Sequence, residues 1–232
     1  MARTIAQNTL DEYYAGLWKS FFAHCLLWAS NWHVDRGILQ HSRPSTYLAP
    51  SWSWASVRGP VHYLSWVNGY WYTFNASPDP AFMPTLVNVL LEPCSDVYGA
   101  VKHGLLTIQG KVNAAFSKQQ ELAQTQDRLT LWGPGPAGSV SKVGEIRYDV
   151  PLCQSCAPIG SMRVVWLLCC IKSQAFSDGS FRTFAIALED DECEEGQYLC
   201  MTVPTRYRRV GVAWGIDPSF WEQASTATLA IA

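Results

Sequence analysis

The apolar residues of this 232-residue chain come in short runs, and that restricts the architectures open to it. Leu86 to Leu91, Leu105 to Val112, Arg163 to Ile171, Phe181 to Leu188, Val210 to Trp214 and Leu229 to Ile231 all carry β-branched or aliphatic residues. Turn residues, not amphipathic stretches of helical length, separate most of them. Val61 to Trp66 alternates Val/Tyr/Ser with His/Leu/Trp, the period of a half-buried strand. This pattern predicts a mainly β fold, an antiparallel assembly closed as a sandwich or an open barrel. The longest run, Val164 to Ile171, is far short of the roughly 20 residues a helix needs to cross a bilayer, so no membrane span is expected.

Helical signals concentrate at the N-terminus. Thr9-Leu10-Asp11-Glu12 has the form of a capping box, and Leu10, Tyr13, Tyr14, Leu17, Trp18, Phe21, Phe22 and Cys25 then recur at helical spacing. The expectation is a long N-terminal amphipathic helix of about five turns. Residues Ser117 to Arg128 are expected to add a short polar helix on the surface. Gly133 to Ser139 reads as a Gly/Pro loop within one domain spanning residues 1–232. Glu189 to Glu195 holds six carboxylates in seven residues and reads as a solvated loop.

With 48% apolar and 16% charged residues, the chain has ample material for a core, which excludes global disorder. A net charge of −2 lacks the dense cationic surface that nucleic-acid binding requires. Met1 to Gln7 offers no apolar run of signal-peptide length, so a cytoplasmic chain with its eight cysteines reduced is expected.

Motifs for cofactor chemistry fail on context. Gly133-Pro134-Gly135-Pro136-Ala137-Gly138 spells a dinucleotide fingerprint, but two of its positions are Pro and no helical pattern follows to present free amides to a phosphate. Cys153 and Cys156 have zinc spacing, yet four ligands are needed, and the adjacent pair Cys169-Cys170 sits in a strand that sends its neighbours to opposite faces. Neither Gly-x-Ser-x-Gly nor His-Glu-x-x-His occurs. No metal and no cofactor are therefore expected.

Aromatic content is the more informative signal. Of eleven Trp, seven precede residue 72. Trp52 and Trp54 alternate with Ser51 and Ser53, which predicts that both face inward. Trp66, Tyr70, Trp71, Tyr72 and Phe74 form a second cluster, and flat rings of this kind wall small-molecule pockets. Arg58, His62 and Tyr63 stand beside them as hydrogen-bond donors. His33 and Asp35 form a reserve acid/base pair, a carboxylate near an imidazole.

Several blocks resemble a known family. Tyr13-Tyr14-Ala15-Gly16-Leu17-Trp18, Leu26-Leu27-Trp28, Arg43-Pro44 and Ala49-Pro50-Ser51-Trp52-Ser53-Trp54-Ala55-Ser56-Val57 are similar to the region that follows the HET domain in fungal heterokaryon-incompatibility proteins. Tyr98 to Val101, Gly104 to Gly110 and Tyr207 to Val212 resemble its later blocks. Where the family commonly has Asp-Gly after Ala-Ser-Val, this chain has Arg58-Gly59. The HET domain itself has no counterpart here, so the resemblance implies a scaffold and a fungal setting rather than catalytic residues.

Two functions fit these features. One is a stand-alone small-molecule enzyme of fungal secondary metabolism, a cofactor-independent cyclase or isomerase of the Diels–Alder type. It would hold an apolar substrate between Trp66, Tyr70, Trp71, Tyr72 and Phe74 and polarise it with His62, Arg58 or Tyr63. The alternative is a non-catalytic binding or regulatory module with a protein partner, which would expose apolar surface instead of enclosing it.

Overall fold

The computed structural model describes residues 2–30, 42–63, 66–67, 70–71, 79–118, 129–134, 139–150, 162–174, 181–191 and 206–232. Short elements come first: a helix α1 (Ala2–Thr9), a hairpin of β1 (Tyr13–Tyr14) and β2 (Leu17–Trp18), and one turn of helix α2 (Phe22–Cys25). Next, β3 (Trp28–Ser30) pairs antiparallel with β4 (Val61–Tyr63), and β5 (Trp66–Val67) pairs with β6 (Tyr70–Trp71). The remaining strands are longer: β7 (Thr85–Pro93), β8 (Val101–Lys118), β9 (Leu129–Pro134), β10 (Val140–Tyr148), β11 (Met162–Gln174), β12 (Phe181–Asp190), β13 (Tyr207–Ile216) and β14 (Ser225–Ile231).

The chain is mainly β with a large antiparallel sheet, as the short apolar runs predict, and all six of those runs lie inside strands. The sheet closes on itself. Following hydrogen-bonded neighbours, β8 pairs with β9, β9 with β10, β10 with β13, β13 with β12, β12 with β11, and β11 returns to β8. This six-stranded ring is a closed barrel, where a sandwich or an open barrel was expected. The N-terminal half of β8 extends beyond the ring and carries β7 along one edge and β14 along the other.

The central runs are continuously apolar because strands β11, β12 and β13 bury both faces. Val165, Leu167, Cys169, Ala185, Ala187 and Ala213 point into the barrel, where their small or medium volumes fill the bore. Leu168, Cys170, Phe184, Ile186 and Val212 point the other way, against Leu106, Ile108 and Leu229 and against Leu17, Leu26 and Trp52 of the N-terminal segment. Cys169 and Cys170 thus lie on opposite faces, as strand geometry dictates. Burial pushes the Cys170 thiol up to about 12.

Both barrel ends are closed by side chains. At one, the turn Pro218–Trp221 seats Phe220 and Trp221; Trp221 Nε1 donates to Thr183 Oγ1 at 2.6 Å, and Asn113 Nδ2 donates to the Phe220 carbonyl at 2.9 Å. Asp217 caps that turn by accepting from the Ser219 amide at 2.9 Å. At the other end, the Tyr148 and Ser117 hydroxyls share a hydrogen bond of 2.7 Å beneath the Arg163 guanidinium, whose carbon is 5.2 Å from the Tyr148 ring centroid.

The long N-terminal helix is a correction. The true helix, α1, ends where the capping box was read: the Thr9 hydroxyl donates back to the Ile5 carbonyl, and Leu10, at φ 57°, donates its amide to Ala6. Ala15 at φ 43° and Gly16 at φ 108° then reverse the chain, so that Tyr13 faces Trp18 and Tyr14 faces Leu17. A Cβ on Gly16 would also lie 2.8 Å from Trp54 Nε1. The aromatic spacing that mimicked one helical face serves a hairpin followed by one helical turn.

Three smaller expectations also change. Gly133 and Pro134 end β9 instead of standing in a loop; β9 is only six residues long and β10 mixes Ser141, Lys142, Gly144, Glu145 and Arg147 among its apolar residues, so neither forms an apolar run of the kind that marks the other strands. Glu189 is not solvated: its side chain, 11% exposed, is held by Arg163 and Arg208. Trp52 is fully buried but Trp54 is 41% exposed, because residues 54–56 form a 3₁₀ turn capped by Ser53 and strand alternation does not apply. The surface helix expected over Ser117 to Arg128 begins inside β8, and residues 119–128, like Cys153 and Cys156, lie outside the described residues. Among the described residues no helix is long and apolar enough to cross a membrane.

The closure between β10 and β13 depends on Gly211, where a Cβ would sit 2.3 Å from the Arg147 carbonyl oxygen. Gly211→Ala is expected to lower stability by about 1–3 kcal/mol through this overpacking, read as a reduced urea midpoint.

Candidate functional site

The structure distributes the sequence-predicted site residues along one short stretch. His62 and Tyr63 are neighbours on β4, opposite Ala29 and Trp28 of β3. Successive strand residues face opposite ways, so a given cavity can receive only one of these two donors. Tyr63 is 43% exposed, and burial of the rest of its ring pushes the phenol up to about 12. Arg58 is exposed; its amide donates to the Ser42 carbonyl at 3.0 Å, tying the chain before β4 to residue 42. Trp66 and Trp71 are cross-strand partners, as are Val67 and Tyr70. Tyr72, Phe74, His33 and Asp35 lie outside the described residues.

Just before β4, the chain enters a buried polar cluster that sequence reading did not anticipate. Arg209 on β13 is fully buried, and its guanidinium lies 2.9 Å from Asp149 Oδ2, also buried, at the end of β10. The same guanidinium stacks 3.5 Å from the Trp28 ring centroid and donates to the Trp28 carbonyl. Trp28 Nε1 in turn donates to the Trp52 carbonyl at 3.0 Å. Ser51 Oγ accepts from the Arg209 amide at 2.8 Å and donates to the Ala232 carbonyl. Arg43 completes the cluster, donating to the Arg209 carbonyl and approaching Asp149 Oδ2 at 3.5 Å.

Burial dominates the titration of this group. It pushes the Asp149 carboxyl up against the pull of Arg209 and Arg43, and it lowers Arg209 to about 10, which leaves a cation at neutral pH. Both charged groups are shut off from solvent, so the pair is a fastening and not a reaction centre. A sequence signal did exist. Arg209 interrupts a block whose neighbours Tyr207, Val210 and Val212 are apolar and buried, and a cation there requires an internal partner.

Accessible apolar surface lies elsewhere. An open groove of 390 Å³ runs over Leu90, Leu91 and Glu92 of β7 and His103, Gly104 and Leu105 of β8, with Arg206 at its margin. Leu90 is 58% exposed. The Tyr47 ring stands 5.9 Å from that of His103. Lys102 Nζ, 3.0 Å from Glu92, holds that carboxyl below its usual range, and Arg206 pairs with Asp191 at 3.0 Å. None of Arg58, His62 or Tyr63 lines this groove. Its floor is aliphatic, with both signs of charge at the rim, a composition suited to holding a polypeptide. The adjacent pair Leu90-Leu91 was the available clue, since a strand must turn one of them outward.

No family model matches the chain, and no curated protein or solved structure matches it either.

Two measurements test the buried polar groups, the first directed at the cluster and the second at a tyrosine near it. Asp149→Ala strands a buried cation and is expected to cost about 3–5 kcal/mol in urea unfolding, while the double variant Asp149→Leu, Arg209→Met recovers most of that loss. Tyr207, fully buried beside Asp190 and without a hydrogen-bond partner for its hydroxyl among the described residues, is pushed by burial from 10.0 up to about 12. Its neutral form is favoured in the folded state, so that stability is present below pH 10 and is lost as pH rises from 10 toward 12. Tyr207→Phe is expected to flatten this alkaline decline of the urea midpoint.

Proposed function

We propose that the chain is a non-catalytic protein-binding module, acting in the cytoplasm and related to the region that follows the HET domain in heterokaryon-incompatibility proteins. The observation that carries this reading is the location of free apolar surface. The barrel bore is filled by side chains, whereas the groove over β7 and β8 is open and presents Leu90 to solvent. A surface of that kind is used for association.

The blocks that carry the family resemblance support a scaffold role. Arg43, Ser51, Trp52, Ser56 and Arg209 bond to one another, directly or through Trp28, and join the N-terminal segment to the barrel. An enzyme of the cyclase type needs an enclosed aromatic cavity with a donor aimed into it. The described groove has aliphatic walls and lies away from Arg58, His62 and Tyr63, so that reading rests on residues 66–74 alone.

A photo-crosslinking amino acid placed at Leu105, in the groove, is expected to capture a discrete polypeptide in cells, with Val140 as an exposed control position that captures none. Failure to capture protein at Leu105, together with turnover of a terpenoid or polyketide substrate by the purified chain, would overturn the proposal.

A further inference from the structure

Strand β7 pairs with β8 along its length and with no other described strand, so its outer backbone edge is unpaired among the described residues. Register shifts at Leu86/Asn88 and at Glu92/Pro93 bracket a regular run, Asn88-Val89-Leu90-Leu91-Glu92. Little in that run protects an edge: it contains no Lys, no Pro and no internal bulge, and its one charge, Glu92, stands at its end. Resting on the protein-binding reading above, we infer that the partner of this edge is the β7 strand of a second copy of the chain.

The argument is one of self-complementarity. Antiparallel pairing of two identical strands about a two-fold axis at Leu90 sets Leu90 opposite Leu90, Asn88 opposite Glu92 and Val89 opposite Leu91 of the second copy. Each pair shares a face. Apolar meets apolar, and the Asn88 amide meets the Glu92 carboxylate, with no like charges opposed. A register shifted by two residues sets Leu90 against Asn88 or against Glu92 and loses this match. Neighbouring pairs extend it, because Leu90 lies beside Leu105, and Glu92 beside His103, across β8. One apolar strip, Leu105-Leu90 and its symmetry mate, then covers the exposed Leu90, flanked by polar strips. Charge at and beside the groove suits a surface that meets itself, since both signs are present, Glu92 paired with Lys102 and Arg206 with Asp191.

Pairing over so short an edge gives a weak, concentration-dependent dimer. Light scattering after size exclusion is expected to show mass rising with concentration toward twice the 25.9 kDa chain. Leu90→Asp should raise the dissociation midpoint by roughly tenfold or more. Because Leu90 is exposed, the circular dichroism and urea midpoint of this variant should match those of the parent chain. Leu90→Cys should form, on mild oxidation, a disulfide that joins the two copies at the substituted position, identified by peptide mapping, since opposed Cα atoms in such a pair lie about 4.5–5.5 Å apart; Thr85→Cys should not. A strictly monomeric chain, or a dimer indifferent to Leu90→Asp, overturns the inference. If the chain is monomeric and Leu105 still captures a different polypeptide, the homotypic partner is wrong while the binding-module reading stands. Absence of both overturns the two together.

Discussion

The fold depends on one buried ion pair. Arg209 and Asp149 come from the strands that close the barrel, β13 and β10, and the same guanidinium reaches outward to the ring and carbonyl of Trp28. A charge pair removed from water is stabilising only when its remaining hydrogen-bonding capacity is used. Here the Trp28 carbonyl and the Arg43 guanidinium use part of it, and with Ser51, which accepts from the Arg209 backbone amide, they fix where the N-terminal segment meets the barrel. Ser51 serves twice, accepting from the Arg209 amide and donating to the carbonyl of Ala232, just past β14. Specific geometry, more than net stabilisation, is what such a cluster supplies.

Around that fastening the packing is simple. Strands β11 to β13 are sandwiched between the barrel bore and the layer formed by β8, β14 and the N-terminal segment. The consequence for function is one of location. A bore filled by Leu167, Cys169 and alanines, and closed at its ends by Trp221 and by Tyr148 under Arg163, leaves binding to outer surfaces, among them the groove over β7 and β8 where Leu90 meets solvent. The protein binding we propose along that surface would use backbone edges and exposed leucines, and would require no titrating group.

How much of this was legible in the sequence depended on the range of the interaction. Strands buried on both faces, such as β12 over Phe184 to Leu188, announce themselves as unbroken apolar runs, and so the mainly β class was readable. Strands β9 and β10 were not, because their pairing is held by tertiary closure and their residues include Gly133, Lys142 and Gly144. The N-terminal segment misled because aromatic spacing of three and four residues fits a helix until Ala15 and Gly16 take positive φ. For the ion pair, Arg209 within an apolar block signals a buried partner but not which residue it is: Asp149 is 60 positions away, and only the fold brings the two together. Of the candidate site, composition grouped Trp66 with Trp71 without revealing that they are cross-strand partners, and the groove was hidden within a run that reads as core.

If the buried pair is what unites the N-terminal segment with the barrel, the two must open together. Native-state hydrogen exchange measures this directly on the unaltered chain. The amides of Ser51 and Ser56, which donate to Ala232 and Ser53, are predicted to exchange with the same opening free energy as those of Ile186 and Ala187 in β12. A separate, lower-energy opening of residues 42–58 while β12 stays protected would contradict the account.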